Sequence, residues 1–242
     1  MEYIYAAAIV FFATTLQGIS GFGSGLVSVP LLVLLLPMTT ITPTLSIVNV
    51  FLSGIIYYKN RHAAHPRQWL SLLGAGFIFS ILGSLLLVEI NEQIIQGVLG
   101  TVILTVVAVL ASGRQLPTFN HPTGHASVGA ASGILNGLMT LGGPPIILFL
   151  ANAKVDKTAF RATLALFFLV IAIANVLTFG ARGVYQSSHL DLLWLWVPCA
   201  VLGAMLGQYV QQFVVERQFK RLILGLMLLS GLSVLFQAIG SS

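Results

Sequence analysis

Two glycine-rich segments interrupt long apolar runs of the sequence, and they carry the residues best suited to bind a ligand. The first segment, residues 18–25, lies within the apolar run 3–37, and the second, residues 136–145, lies within the run 127–151. Clustered glycine and proline remove helix propensity and backbone hydrogen bonds, so neither run forms one continuous helix. Each interruption starts a second helical arm, whose free N–H groups carry about half a positive charge and favour an anion.

The candidate substrate-binding residues are glycines and polar side chains in the interruptions and in the helices that follow them. They are Gln17, Ser20, Gly21, Gly23, Ser24, Gly25, Asn49, Asn136, Thr140, Gly142, Gly143, Arg161 and Asn175. Gln17 and Asn136 adjoin the interruptions, where they either contact the ligand or cap freed backbone groups. Asn49 and Asn175 either contact the ligand or form interhelical hydrogen bonds. Arg161 either attracts anions or extends to the membrane interface.

The glycines also have a purely structural interpretation. Gly21 and Gly25 have the GxxxG spacing that lets two membrane helices approach closely. Close packing accounts for Gly18, Gly21 and Gly25. It does not account for Gly142, Gly143, Pro144 and Pro145 in succession, which no intact helix would contain.

The composition is that of an integral membrane protein. Of the 242 residues 57% are hydrophobic and 7% are charged, and the mean hydropathy is +0.98, whereas a soluble domain has about 25% charged residues. The net charge of +5 does not indicate nucleic acid, because the basic residues lie in short loops between apolar runs. The expected environment is membrane lipid, and at most roughly eight or nine helical crossings fit the length.

Eight apolar runs follow one another along the chain, at residues 3–37, 43–58, 69–88, 94–112, 127–151, 158–180, 190–210 and 222–239. Six have the length of one membrane helix, and the two interrupted runs are predicted to be broken-helix hairpins. The interrupted runs match at an offset of 115 residues, since Gly18, Ile19, Leu26, Pro30 and Leu35 correspond to Gly133, Ile134, Leu141, Pro145 and Leu150. We therefore expect an all-α membrane domain of two repeats, residues 1–112 and 125–242.

The positions of the basic residues predict how the two repeats are oriented. If each broken run enters and leaves on one side, the loops at 59–67, 113–124, 153–161 and 212–221 share that side and hold 10 of the 11 basic residues. If each broken run instead crosses the membrane once, the basic residues divide almost evenly between the two sides of the membrane. The positive-inside rule favours the first arrangement. The repeats are then inverted relative to each other, and both termini lie outside.

Ionisable side chains are missing from the middle of the predicted helices. The carboxylates Glu2, Glu89, Glu92, Asp156, Asp191 and Glu216 and all five histidines fall in loops or near helix ends. A proton relay or an intramembrane enzyme would need such groups at depth. The single cysteine, Cys199, excludes an intrachain disulfide and a cysteine-rich metal site. We therefore expect no catalytic site, no metal and no cofactor.

The paired motifs resemble a known family of membrane proteins. GISGFGSGLVSVP at residues 18–30 and GILNGLMTLGGPP at residues 133–145 are similar to the two repeats of the TauE/SafE sulfite exporter family, and the likeness extends to KTAFR at residues 157–161. Ser24 and Thr140 stand where glycine is more typical. The resemblance implies transport of small sulfur-containing anions such as sulfite or sulfonated carboxylates.

The expected function is that of a secondary transporter in the cytoplasmic membrane. The anion would be held between the two half-helix N-termini at mid-membrane, and export is the favoured direction because the membrane potential drives anions outward. Uptake of the same anions is the nearest alternative. An intramembrane enzyme or a subunit of a larger assembly is a more distant one.

Overall fold

The computed structural model describes residues 2–20, 24–112, 121–153, 155–210, 213, 225, 227–236 and 238. Within these residues the regular secondary structure is entirely helical. The helices are α1 (Glu2–Ser20), α2 (Ser24–Leu32), α3 (Met38–Asn60), α4 (Leu70–Glu89), α5 (Glu92–Ser112), α6 (Pro122–Met139), α7 (Gly143–Asn152), α8 (Lys157–Ala181), α9 (Ser187–Val210) and α10 (Met227–Phe236). Two short 3-10 helices, Arg61–Ala63 and Pro66–Trp69, join α3 to α4.

Five helices of the described chain, α3, α4, α5, α8 and α9, are long and apolar enough to cross a membrane. They correspond to five of the six single-helix runs, and the predicted all-α membrane fold is confirmed. Of the sixth run, residues 222–239, helix α10 covers ten residues. Most of the remainder of that run lies outside the described residues.

Helix α3 begins earlier than the sequence indicated. The apolar run that predicts it begins at residue 43, but the helix begins at Met38. The amides of Thr40 and Ile41 donate to the carbonyl of Pro37 at 2.9 and 3.1 Å. The amide of Met38 donates to Glu92 Oε1 at 2.9 Å. This carboxylate caps the start of α3, so the helix can begin five residues before Pro43.

Replacing Glu92 with alanine is expected to lower the free energy of unfolding by about 0.5–2 kcal/mol, the range for loss of a helix cap. Glu89→Gln is the control, because Glu89 makes an exposed ion pair with Arg182 in which its side chain is 64% exposed, and such pairs contribute about 0–1 kcal/mol. Thermal unfolding in detergent compares the two variants. A larger loss for Glu89→Gln would contradict the capping role.

The run that contains α6 and α7 folds back on itself. His125, in the first turn of α6, and Phe149, near the end of α7, have ring centroids 5.2 Å apart. In one straight helix these residues would be about 36 Å apart at 1.5 Å per residue. Trp69 packs against both rings, at 5.1 and 5.8 Å. The two ends of this hairpin therefore meet beside the start of α4.

The first interrupted run also folds back. Ala13 and Leu16 of α1 share a buried apolar cluster with Val27 and Leu31 of α2. A straight helix would separate Ala13 from Leu31 by about 27 Å. Helices α1 and α2 therefore pack as a pair, and each predicted interruption coincides with a change of direction in the chain.

The helices form two compact units that interleave the two halves of the sequence. Unit 1 comprises Met1–Ile41, Ile90–Arg114 and Leu190–Ser242, and unit 2 comprises Thr42–Glu89 and Gln115–His189. Each unit contains one hairpin together with helices from both halves. The two units are groups of helices that pack together. The boundaries 1–112 and 125–242 instead separate two sequence repeats, and these boundaries stay a prediction.

Small residues hold the first arm of the hairpin in unit 2 against α4. Gly129, Gly133 and Gly137 recur every four residues on one side of α6. A Cβ atom on Gly133 would lie 2.5 Å from the carbonyl oxygen of Gly76 and 2.9 Å from the amide nitrogen of Ser80. The backbones of α4 and α6 therefore touch, as in GxxxG helix pairs.

Unit 1 contains the corresponding contact between α1 and α9. A Cβ atom on Gly18 would lie 2.5 Å from the carbonyl oxygen of Ala204, and one on Gly203 would lie 2.5 Å from that of Phe11. Gly18 and Gly133, which match in the repeat alignment, both serve this packing. In unit 1, helix α1 of the first half thus packs against α9 of the second half. In unit 2, helix α6 of the second half packs against α4 of the first half.

Candidate functional site

The break between α6 and α7 is built on a residue in a strained conformation. Helix α6 ends at Met139, and Thr140 adopts φ 56° and ψ 24°, the left-handed region. Its amide donates to Asn136 O at 2.8 Å, and the amide of Leu141 donates to Leu135 O at 3.1 Å. Left-handed geometry costs a non-glycine residue about 1–2 kcal/mol, and a β-branched residue there is an outlier. This conformation explains why glycine is more typical at position 140.

The start of α7 offers two backbone donors. Gly142 is the N-cap and Gly143 the first helical residue, followed by Pro144 and Pro145. The first four N–H groups of a helix have no intrahelical acceptor, but proline has no N–H. The N–H groups of Gly142 and Gly143 are therefore those available to a ligand, and no acidic residue occupies the first turn of α7.

A buried hydrogen-bonded chain of side chains ends beside this break. Ser84 Oγ of α4 donates to Asn175 Oδ1 of α8 at 2.9 Å, and Asn175 Nδ2 donates to Asn136 Oδ1 of α6 at 2.9 Å. Asn175 Nδ2 also lies 3.5 Å from Ser46 Oγ of α3. Asn175 is fully buried and Asn136 is 4% exposed. Each bond in this chain strengthens the next in a low-dielectric interior.

The direction of these side-chain hydrogen bonds determines which atoms of Asn136 are left for the break. Its oxygen is occupied by Asn175, so its NH₂ group is left to face elsewhere. A Cβ atom on Gly142 would lie 3.2 Å from Asn136 Nδ2. The amide donors of Asn136 therefore lie next to the N-cap of α7. Ordered donation from Ser84 through Asn175 fixes this orientation.

Two buried hydroxyl groups near the break lack a partner within the described chain. They are Ser132 Oγ, on a side chain with no exposed surface, and Thr140 Oγ1, on a side chain that is 5% exposed. A Cβ atom on Gly142 would lie 2.6 Å from the backbone oxygen of Ser132, so Ser132 also adjoins the N-cap of α7. An unsatisfied buried hydroxyl costs about 1–3 kcal/mol. Such groups are normally satisfied by a ligand or water.

The hairpin of unit 1 has comparable features. Gln17 Oε1 on α1 and Ser28 Oγ on α2 are buried without a hydrogen-bond partner among the described residues. Gln17 and Ser132 differ by 115 positions, the offset of the repeat. At the start of α2, Ser24 is partly buried and Gly25 is buried. Ser20 is the last residue of α1.

Several predicted site residues lie outside the polar cluster at the α6–α7 break, which comprises Ser46, Ser84, Ser132, Asn136, Thr140 and Asn175. Arg161 is partly buried on α8, and it lies about 21 Å along that helix from Asn175, too far for both to contact one small anion. Asn49 is partly buried on α3, and no hydrogen bond connects it to the cluster within the described residues. Gly21 and Gly23, together with the side chain of Ser20, lie outside the described residues.

Three residues of the cluster were not among the sequence candidates: Ser46, Ser84 and Ser132. The serines of α3 and α4 lie in apolar helices, where a small polar residue is typical of helix packing. Ser132 carried a usable signal, because it matches Gln17 in the repeat alignment. Alignment of polar as well as identical positions would have identified it.

Replacing Thr140 with glycine is expected to stabilise the protein by about 1 kcal/mol, because it relieves the left-handed strain. The same change removes a buried hydroxyl from the break and is expected to reduce ligand binding. Melting temperature and ligand affinity, measured on one preparation, test both effects. Thr140→Ser is the control, because it keeps the hydroxyl. A glycine variant that is less stable than the native protein would contradict the strain.

The chain is similar to known membrane proteins. The family model described as "Sulfite exporter TauE/SafE" matches residues 6–234. A curated protein of Comamonas testosteroni, named "Probable inner membrane transporter protein TsaS", is 30% identical over 125 residues, which are 51% of this chain and 50% of that protein. The chain thus matches about half the length of that relative. No solved structure matches the chain. Since the family model covers nearly the whole sequence, the protein belongs to the sulfite exporter TauE/SafE family.

Proposed function

We propose that the protein is a secondary transporter of small sulfur-containing anions, sulfite or organosulfonates, and that it exports them across the cytoplasmic membrane. The observation that carries the proposal is the set of donors at the start of α7. The N–H groups of Gly142 and Gly143 lie there beside the amide of Asn136, and no acidic residue occupies the first turn. Ser132 and Thr140, whose buried hydroxyls have no partner within the described chain, adjoin the break. Donors of this kind suit an oxyanion.

The comparisons support the same class of function. The family is described as sulfite exporters, and the relative from Comamonas testosteroni is named as an inner membrane transporter. Both descriptions favour a transporter over an intramembrane enzyme or an assembly subunit. A monoanion that leaves a cell with a potential of 100 mV, negative inside, gains about 2.3 kcal/mol. Export therefore needs no coupled proton.

We also propose that the two halves are inverted repeats, with both termini outside. An ion pair between Arg182, after α8, and Glu89, at the end of α4, supports this topology. If each hairpin returns to its own side, the ends of α4 and α8 lie on the same face of the membrane. If each broken run crossed once, those ends would lie on opposite faces. The second arrangement is incompatible with a direct contact between them.

Flux measurements in liposomes test the function. Purified protein with an imposed potential should release sulfite or methanesulfonate from vesicles at a rate that rises with the potential. Vesicles without protein are the control. Absence of flux for every sulfur anion would overturn the proposal. Transport in oriented membrane vesicles distinguishes export from uptake.

Thiol labelling tests the topology separately. Single cysteines at Asn60, Lys157 and Gln186, introduced after Cys199→Ser removes the native thiol, report the side of each loop. An impermeant reagent added to intact cells should label position 186 and spare positions 60 and 157. Labelling of only one of positions 60 and 157 would contradict the inverted repeat. Labelling of both would contradict the placement of the termini outside.

A further inference from the structure

We infer that the site at the α6–α7 break selects oxyanion groups that carry a single negative charge and rejects dianions of the same shape. The inference rests on the proposed function, because it assigns the substrate class of that site. It derives from the kind of groups that line the break and from the positions of the nearest charges.

The groups that line the break are neutral hydrogen-bond donors. Backbone donors come from Gly142 and Gly143, and the amide of Asn136 lies beside Gly142. Ser132 and Thr140 adjoin the break and supply the nearby unpartnered hydroxyls. Asn136, Ser132 and Thr140 are each more than nine-tenths buried. The hydroxyls have no partner within the described chain. The site therefore binds an anion with oriented dipoles and not with a counter-charge.

Charged side chains on the elements that form the site are distant or paired. Arg161 lies about 21 Å along α8 from Asn175, and His125 lies about 16 Å along α6 from Asn136. Arg182 lies beyond the end of α8, about 10 Å from Asn175, and is paired with Glu89. No full positive charge on these described elements adjoins the break.

The cost of removing an anion from water decides which charge state such a site accepts. By the Born relation this cost grows with the square of the charge, so a dianion costs about four times as much as a monoanion of equal size. Attraction to neutral dipoles grows only in proportion to the charge. A site without a counter-charge therefore favours the monoanion.

This selectivity has a consequence for sulfite itself. Sulfite exists as hydrogen sulfite, a monoanion, and as the sulfite dianion, and the two forms interconvert near neutral pH. The site would accept hydrogen sulfite and alkanesulfonates and exclude sulfate. Transport of sulfite would then carry one negative charge and one proton in the same direction, without a titrating residue in the membrane.

Binding measurements with matched probes test the selectivity. Methanesulfonate and sulfate are both tetrahedral and differ by one charge. We expect methanesulfonate to raise the melting temperature of the detergent-solubilised protein and sulfate to bind at least about tenfold more weakly. Sulfite should bind more weakly as pH rises through its second ionisation, whereas methanesulfonate should not change.

The outcomes separate the inference from the proposed function. Equal affinity for sulfate and methanesulfonate would overturn the charge selectivity and leave anion transport intact. Absence of binding and flux with every sulfur anion would overturn the proposed function. Stronger binding of sulfite at higher pH would show that the dianion is the ligand and would overturn the inference.

A serine variant locates the selectivity at the break. Ser132→Ala removes a hydroxyl that makes no hydrogen bond to the described residues, so the melting temperature should not fall. Loss of one hydrogen bond to a charged ligand is expected to weaken methanesulfonate binding about tenfold. Ser80→Ala is the matched control, because Ser80 is equally buried on α4 and its hydroxyl bonds to Phe77 O. Equal affinities for the two variants would place the ligand elsewhere and overturn the assignment.

Discussion

Replacing Gly143 with leucine is expected to abolish anion flux while the melting temperature stays close to that of the native protein. A Cβ atom on Gly143 would lie 3.2 Å from the Ile147 Cδ1 atom and 3.9 Å from Phe168 Cζ, and it would meet no backbone atom of another helix within 4 Å among the described residues. Both neighbours are side-chain ends that can shift. A leucine side chain would occupy the space in which the backbone donors of α7 meet a ligand.

Gly83→Leu is the matched control for this prediction. A side chain on Gly83 would collide with the carbonyl group of Ile134 and lie 3.0 Å from the amide nitrogen of Leu138. Overpacking against a rigid backbone costs about 1–3 kcal/mol or more, so this variant should melt earlier. Flux per folded molecule and melting temperature are measured for both variants. If the flux of Gly143→Leu declines only in step with its stability, the glycine serves packing and not the ligand.

Replacing Asn175 with leucine is expected to reduce flux at least about tenfold and to destabilise the protein. The change removes the acceptor for Ser84 and the donor to Asn136, and each orphaned buried group costs about 1–3 kcal/mol. It also frees the amide of Asn136 to rotate. The donors that face Gly142 are then no longer held in place.

A double variant separates the two effects of Asn175→Leu. Adding Ser84→Ala removes the orphaned hydroxyl and should recover part of the lost stability, since deletion of both partners is often nearly neutral. Flux should not recover, because Asn136 remains unheld. Recovery of flux in parallel with stability would mean that the hydrogen-bonded chain is only structural. Melting temperature and flux on the single and double variants provide the comparison.

Both hairpins could be predicted from the sequence. The clustered glycines at residues 18–25 interrupt the first run, and Gly142, Gly143 and the two prolines after them exclude a continuous helix in the second. The sequence also placed Asn136 and Asn175 among the candidates. The pairing of Asn136 with Asn175, however, depends on how α6 and α8 pack, which their spacing of 39 residues does not reveal. Ser46 and Ser84 were missed for the same reason. A buried hydroxyl acquires its role from tertiary contacts.

One feature of the break could have been obtained from the sequence. Pro144 and Pro145 supply no N–H, so the available donors at the start of α7 reduce to those of Gly142 and Gly143. When a helix N-terminus is described only as a diffuse positive charge, the number of individual donors that remain at this start is not apparent. The left-handed conformation of Thr140, by contrast, could not be predicted, because a β-branched residue rarely adopts it.

The exchange of partners between the two halves affects the order in which the protein can be assembled. During synthesis α1 enters the membrane long before α9, whose Gly203 and Ala204 form its packing surface. Helix α4 is likewise synthesised before α6, the helix against which it packs. Each half made alone would therefore expose an unfilled small-residue surface to lipid. Co-expressed as separate polypeptides, the halves could supply each other's missing helix, so this chain is suited to assembly from two fragments.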